Sequence, residues 1–164
     1  GIEVYVDRHP DTWSWNQGKV AMSVDELNYD NLLKDINVLS LWDKAPKDTV
    51  LGHIHLHVKE LKETVKFYVD GLGFQIVSRL GDSALFISDN GYHHHIGLNT
   101  WQGVSATEKR PLAVGLHFFT VQYPSTEKRD EVIERLLKMN YGVEKQIDGY
   151  FVLDPSKNLI KLSV

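Results

Sequence analysis

The sequence contains no cysteine. That single absence removes disulfides and every thiolate metal ligand. Any metal here must be held by imidazole, carboxylate or water. The lack of cysteine also suits a reducing compartment, so a cytoplasmic protein is expected. No apolar run approaches the roughly 18 residues that a membrane-spanning helix needs. Nor is there an excess of positive charge: 18 Lys and Arg stand against 22 Asp and Glu, a net charge of -4 at pH 7. That balance calls for neither nucleic acid nor an anionic membrane as partner. The 164 residues, 42% hydrophobic and 24% charged, suit one globular domain or two small modules sharing a core.

An initiating methionine is lacking too. The chain begins Gly1-Ile2-Glu3-Val4-Tyr5-Val6-Asp7-Arg8, a strand pattern already running. Termini are more often frayed than strand-like, so residues 1–8 are expected to be the last strand of a preceding domain. Such an orphan strand would seek a new sheet edge, and a homo-oligomer, in the simplest case a dimer, is expected. Residues 9–51 are polar and broken by Pro10, Gly18 and Pro46. They read as a connector with one short helix, capped by Asp25 and striped by Leu27, Leu32, Leu33 and Ile36.

What the sequence does have is histidine, and it is concentrated. GHIHLHV (52–58) and GYHHHIGLN (91–99) hold six of the eight histidines. In the first stretch the imidazoles alternate with Ile54, Leu56 and Val58, so His53, His55 and His57 share one face of a strand. Their apolar neighbours should face a helix, leaving the histidines on an open concave face. The same parity puts Ile96 and Leu98 against the helix and His93, His95, Gly97 and Asn99 in the concavity. A set of histidines on an open face suits metal binding, since neutral imidazole serves Zn, Fe, Ni and Cu. The bland alternative is a set of structural histidines satisfied by backbone or water.

The surrounding pattern is regular. An amphipathic helix carries Leu61, Val65, Tyr68 and Leu72, with Gly71 and Gly73 as stops. Strands are expected at 74–80, 84–88 and 93–101. The order then recurs: a strand at 115–121, a helix over 126–140 with Val132, Ile133, Leu136 and Leu137 on one face, and three more strands to Val164. Two copies of strand-helix-strand-strand-strand suggest paired modules, each a curved sheet with its helix outside.

With GHIHLHVKEL, FYVDGLGF and, more weakly, GLHFFTV and LDPSKNLIKLSV in place, the chain resembles the vicinal oxygen chelate superfamily. That group includes glyoxalase I, the bleomycin and fosfomycin resistance proteins and the extradiol ring-cleaving dioxygenases. The resemblance covers residues 52–164 and is nearest to bacillus-type catechol 2,3-dioxygenase and glyoxalase-family proteins. It implies an α+β fold of two βαβββ modules, 52–103 and 112–164, forming a half-open barrel around a divalent metal. Fe(II) or Mn(II) is the favoured metal, with Zn or Ni as alternatives, and a small aromatic or other small molecule is the expected substrate.

Carried over residue by residue, the resemblance implies His53 and His117 as ligands from the first strand of each module. His95, or His94 if the strand bulges, is implied as third ligand or acid-base group. Glu3 resembles the closing carboxylate ligand of a preceding module. One position departs from the pattern: Lys161 stands where the extradiol signature has its metal-binding Glu, with Phe151 and Lys157 replacing Tyr and Gly. A protonated lysine has no lone pair to offer and repels a cation. Extradiol cleavage of a catechol-type substrate is therefore expected of the intact protein, with this portion alone inactive if Lys161 closes the site. The alternatives are a non-catalytic metal- or ligand-binding domain and a glyoxalase-type isomerase, which needs a carboxylate base.

Overall fold

A computed structural model describes residues 7–23, 26, 28–34, 43–103 and 114–164. Glu3 lies outside them, as do Asp25, Leu27 and Ile36 of the expected connector helix. The connector is more structured than its composition suggests. It carries a 3-10 turn (Pro10–Thr12), a short hairpin of β1 (Trp15–Asn16) and β2 (Lys19–Val20), and helix α1 (Tyr29–Lys34). The hairpin turns at Gln17 and Gly18, both at positive φ (49° and 73°). Two left-handed residues are what a two-residue loop needs to match the twist of its strands.

Two copies of one five-element pattern follow. The first is β3 (Ile54–His57), α2 (Leu61–Val65) continued by a π-helical turn (Lys66–Gly71), β4 (Gln75–Leu80), β5 (Ala84–Ser88) and β6 (Ile96–Asn99). The second is β7 (Phe119–Gln122), α3 (Thr126–Lys138), β8 (Val143–Gln146), β9 (Gly149–Leu153) and β10 (Leu159–Ser163). Each copy folds into a four-stranded sheet, in the orders β3-β6-β5-β4 and β7-β10-β9-β8. In both, the first and last strands pair in parallel and the others antiparallel. The result is the α+β architecture expected from the repeat, two mixed sheets without a closed barrel.

Alternation sets the core. Leu56 and Val58 turn inward with Leu85, Ile87, Ile96 and Leu98, meeting Phe67, Tyr68 and Leu72 from the helical segment. The second copy adds Phe119, Val152, Ile160 and Leu162 beneath Val132, Ile133 and Leu136, and all of these form one continuous cluster. Fully burying a Leu, Ile or Phe of this kind stabilises by about 1.5–3 kcal/mol. Polar ties lock the copies together: Tyr68 Oη donates to Asp154 Oδ2 at 2.9 Å and Arg135 Nε donates to the Gly71 carbonyl at 2.7 Å. A Cβ on Gly71 would stand 2.9 Å from Leu136 Cδ2, so a larger residue there would have to push that side chain or the helical segments apart.

All five residues of β5 are buried. A strand covered on one face alternates, so a cover on the other face is required. Leu85 and Ile87 enter the main core, whereas Phe86 joins Val77, Val20 and Trp13 in a second cluster. Residues 7–22, from the end of the expected first strand into the connector, are thus a strap over this face of the first sheet.

Candidate metal centre

Beneath that strap the histidines meet. His53 just precedes β3 and His55 lies within it, two residues apart and therefore on one face. His94 comes from the segment entering β6, which begins only at Ile96. The chain bends at His93 and His95, so strand parity does not reach back to them and His94, not His95, turns inward. Its ring is buried against Phe86, with centroids 5.1 Å apart. His53 Nδ1 lies 3.1 Å from His55 Nε2 and 3.0 Å from His94 Nε2, and the three ligand atoms all fall within 4.8 Å of one another. Gly97, paired with His55 across β3 and β6, makes room for that ring: a Cβ there would stand 3.0 Å from His55 Nδ1.

Three imidazole nitrogens converging on one point fit a cation. In a tetrahedral site with metal–nitrogen bonds near 2.0–2.1 Å, ligand nitrogens stand about 3.3 Å apart. The His53–His55 and His53–His94 spacings need only open slightly to reach this value, and all three atoms already lie within 4.8 Å of one another. Metal ligation also requires neutral imidazole. Burial, followed by the neighbouring His53, His93 and His55, pushes the His94 pKa down to about 3. Lys161, the cation that threatened the site, is engaged elsewhere, its Nζ 2.8 Å from Asp148 Oδ2 beyond the end of β8.

A polar chain leads outward. His94 Nδ1 lies 2.8 Å from His93 Nδ1, and His93 Nε2 lies 3.5 Å from Asp7 Oδ1. Tyr92 Oη donates to the other oxygen of Asp7 at 2.8 Å. Trp13 packs edge-on against the rings of both Tyr92 and His93, centroids 5.3 and 4.9 Å away. His53, His93 and His94 open onto a cavity of about 420 Å³ whose other wall is the strap, including Arg8, Trp13, Val20 and Met22. That volume lies in the range of small-molecule sites.

Residues 50–162 match the family model of the Glyoxalase/Bleomycin resistance protein/Dioxygenase superfamily. The chain belongs to this superfamily. Within it, a catechol-2,3-dioxygenase of Bacillus subtilis (strain 168) is 44% identical over 157 residues, 94% of this chain and 55% of that protein. The chain thus spans about half the length of the curated relative it matches. Among solved structures, a lactoylglutathione lyase from Agrobacterium tumefaciens superposes with a TM-score of 0.53 at 21% identity, covering 72% of this chain and 94% of that one. A genomically encoded fosfomycin resistance protein from Listeria monocytogenes gives 0.52 at 22%, covering 71% and 93%. At such identities these two likenesses speak for the fold alone.

The ligand set suggested by the superfamily resemblance and the histidine cluster overlap only in part. His53 and His94 are in the cluster. His117 is exposed, ahead of β7, its ring 5.4 Å from that of Phe118. His95 Nδ1 is 2.9 Å from Ser88 Oγ and accepts from the Asp89 amide at 3.3 Å. It lines a second cavity, of about 660 Å³, between the two modules with Phe74, Phe118 and Phe119; His53 reaches the walls of both. His57 is exposed. Three contributors escaped the sequence analysis. His55 shares the strand face of His53, but the superfamily resemblance implied no ligand at that position. The strap residues Asp7 and Trp13 gave no signal that placed them beside the histidines.

Proposed function

We propose that the chain is part of a metal-dependent ring-cleaving dioxygenase acting on a catechol-type small molecule, with His53, His55 and His94 holding the metal. The observation that carries this reading is the convergence of three imidazole nitrogens beside a strapped cavity that His53 and His94 line. The 44% identity to a catechol-2,3-dioxygenase supplies the reaction class. A divalent cation bound there would lend Lewis-acid charge to the paired oxygens of a diol. The chain's own residues do the rest. Trp13, Val20 and Met22 offer apolar wall for a ring, Arg8 adds positive charge, and His94 is buried while His55 stays exposed to solvent. Neutral imidazoles leave the charge of the cation undiminished, which favours an anionic oxygen ligand. An all-nitrogen set also suits iron, zinc or nickel better than manganese, which prefers carboxylate oxygen.

A second reading is binding without turnover. It is favoured by the composition of the cluster, which contains no carboxylate among the described residues. The same feature weighs against a glyoxalase-type isomerisation, where a carboxylate serves as base.

Elemental analysis of the untagged protein, beside a His53→Ala/His94→Ala variant, tests the assignment. Close to one equivalent of metal in the parent and none in the variant is expected, with oxygen uptake on catechol only in the loaded parent. Metal without oxygen uptake would select the binding reading. Absence of metal from both proteins would sink the centre altogether.

A further inference from the structure

The strap contributes more than a wall. Asp7 is held by the Tyr92 hydroxyl through Oδ2, which leaves Oδ1 facing His93 Nε2. A carboxylate only accepts hydrogen bonds, so the nitrogen facing it carries the proton. A neutral imidazole has one N–H, and His93 Nδ1 is then a bare acceptor. The atom 2.8 Å from it is His94 Nδ1, which must donate. His94 Nε2 is in turn left with a free lone pair, and it is this atom that faces His53 Nδ1 at 3.0 Å.

We infer that Asp7 and His93 are positioning residues, a brace running from the strap that fixes the tautomer of His94 so that Nε2 is bare and aimed into the histidine cluster. This rests on the assignment of His94 as a metal ligand. Partners of this kind, holding the far nitrogen of a ligating histidine, typically change metal affinity 10–100-fold when removed. Here the brace has two links, and its origin lies in a connector more than forty residues upstream of β3. Trp13, packed edge-on against both His93 and Tyr92, keeps the intermediate ring in line.

Asparagine at position 7 is the informative change: with its amide oxygen still accepting from Tyr92 Oη, the amide nitrogen, a donor, is turned to His93 Nε2. A donor facing His93 Nε2 moves the His93 proton to Nδ1, makes His94 Nδ1 the acceptor, and leaves His94 Nε2 protonated and unable to ligate. Asp7 is substantially exposed, with 42% of its side chain accessible, so the substitution does not open the core. Two readouts are used on the full chain. Long-range nitrogen–proton NMR correlations on the metal-free protein report which His94 nitrogen carries the proton. Competition with a chromophoric chelator reports zinc affinity.

The parent should show His94 protonated at Nδ1. Asp7→Asn should show it at Nε2 and bind zinc 10–100-fold more weakly, while Asp7→Glu should recover most of the loss. Asp89→Asn, which alters a carboxylate beside His95 and outside the brace, should change neither readout. A parent His94 protonated at Nε2, or an Asp7→Asn variant with parental zinc affinity, would overturn the inference. Should the parent bind no zinc, the metal assignment fails, and the tautomer spectra still decide whether the brace exists.

Discussion

Lowering the pH from 7.5 to 5 should destabilise the metal-free protein through His94. The ring is buried beneath the strap with a pKa near 3, against an ordinary 6.5. A group depressed in the folded state refuses a proton that the unfolded chain accepts. Its contribution is therefore fully present above pH 6.5 and is lost as pH falls from there towards 3. At pH 5 the unfolded histidine is almost entirely protonated and the folded one almost entirely neutral, a difference of about 2 kcal/mol. His93 and His95 are depressed as well, burial being the leading cause in each, and act in the same direction. Urea unfolding at half-unit pH intervals measures this, with His94→Asn as the reference from which the other titrations cancel. Zinc should reverse part of the loss: at 100 times its dissociation constant a ligand adds about 2.7 kcal/mol. That benefit should itself shrink on acidification as protons compete for the nitrogens. A parent as stable at pH 5 as at pH 7, or a pH slope unchanged in His94→Asn, would refute the reasoning.

Two further substitutions probe the site and its support separately. Gly97→Ala places a methyl 3.0 Å from the His55 ring; the fold should survive while zinc affinity falls about tenfold or more, read by chelator competition, and undiminished affinity would remove His55 from the ligand set. Tyr68→Phe deletes one of the donors to the buried Asp154 carboxylate, leaving the Ser156 and Asn158 amides and Asn158 Nδ2. A hydrogen bond to a charged group contributes about 1.5–3 kcal/mol, so the urea midpoint should fall correspondingly, with zinc binding retained; loss of binding would mean that the tie between modules also shapes the cluster.

The repeat was legible because its signals are periodic. Alternation over 53–58, the apolar run over 84–88 and the helical stripe within 126–140 translated into β3, β5 and α3. What could not be read was where a period stops. The strand expected from residue 93 begins at Ile96, and the one expected from residue 115 begins at Phe119. Those few residues decide the site, since they send His94 rather than His95 into the cluster and leave His117 exposed. The strap was opaque for a different reason. Strands of two residues have no period, and the contacts of Asp7 with Tyr92 and His93 span some 85 positions of sequence. Lys161 looked like a threat to the metal because its partner, Asp148, sits in the turn before the neighbouring strand β9, where sequence alone pairs nothing.

Recombination between relatives would treat residues 50–162 as the heritable unit, since that is the stretch shared across the superfamily. A chimaera cut at that boundary would inherit all three imidazoles and lose Asp7, Arg8, Trp13 and Val20. It would receive a histidine cluster facing open water, with Phe86 uncovered and nothing to choose between the nitrogens of His93. Moving this module into another chain would therefore require residues 7–22 to travel with it, or a new cover in their place.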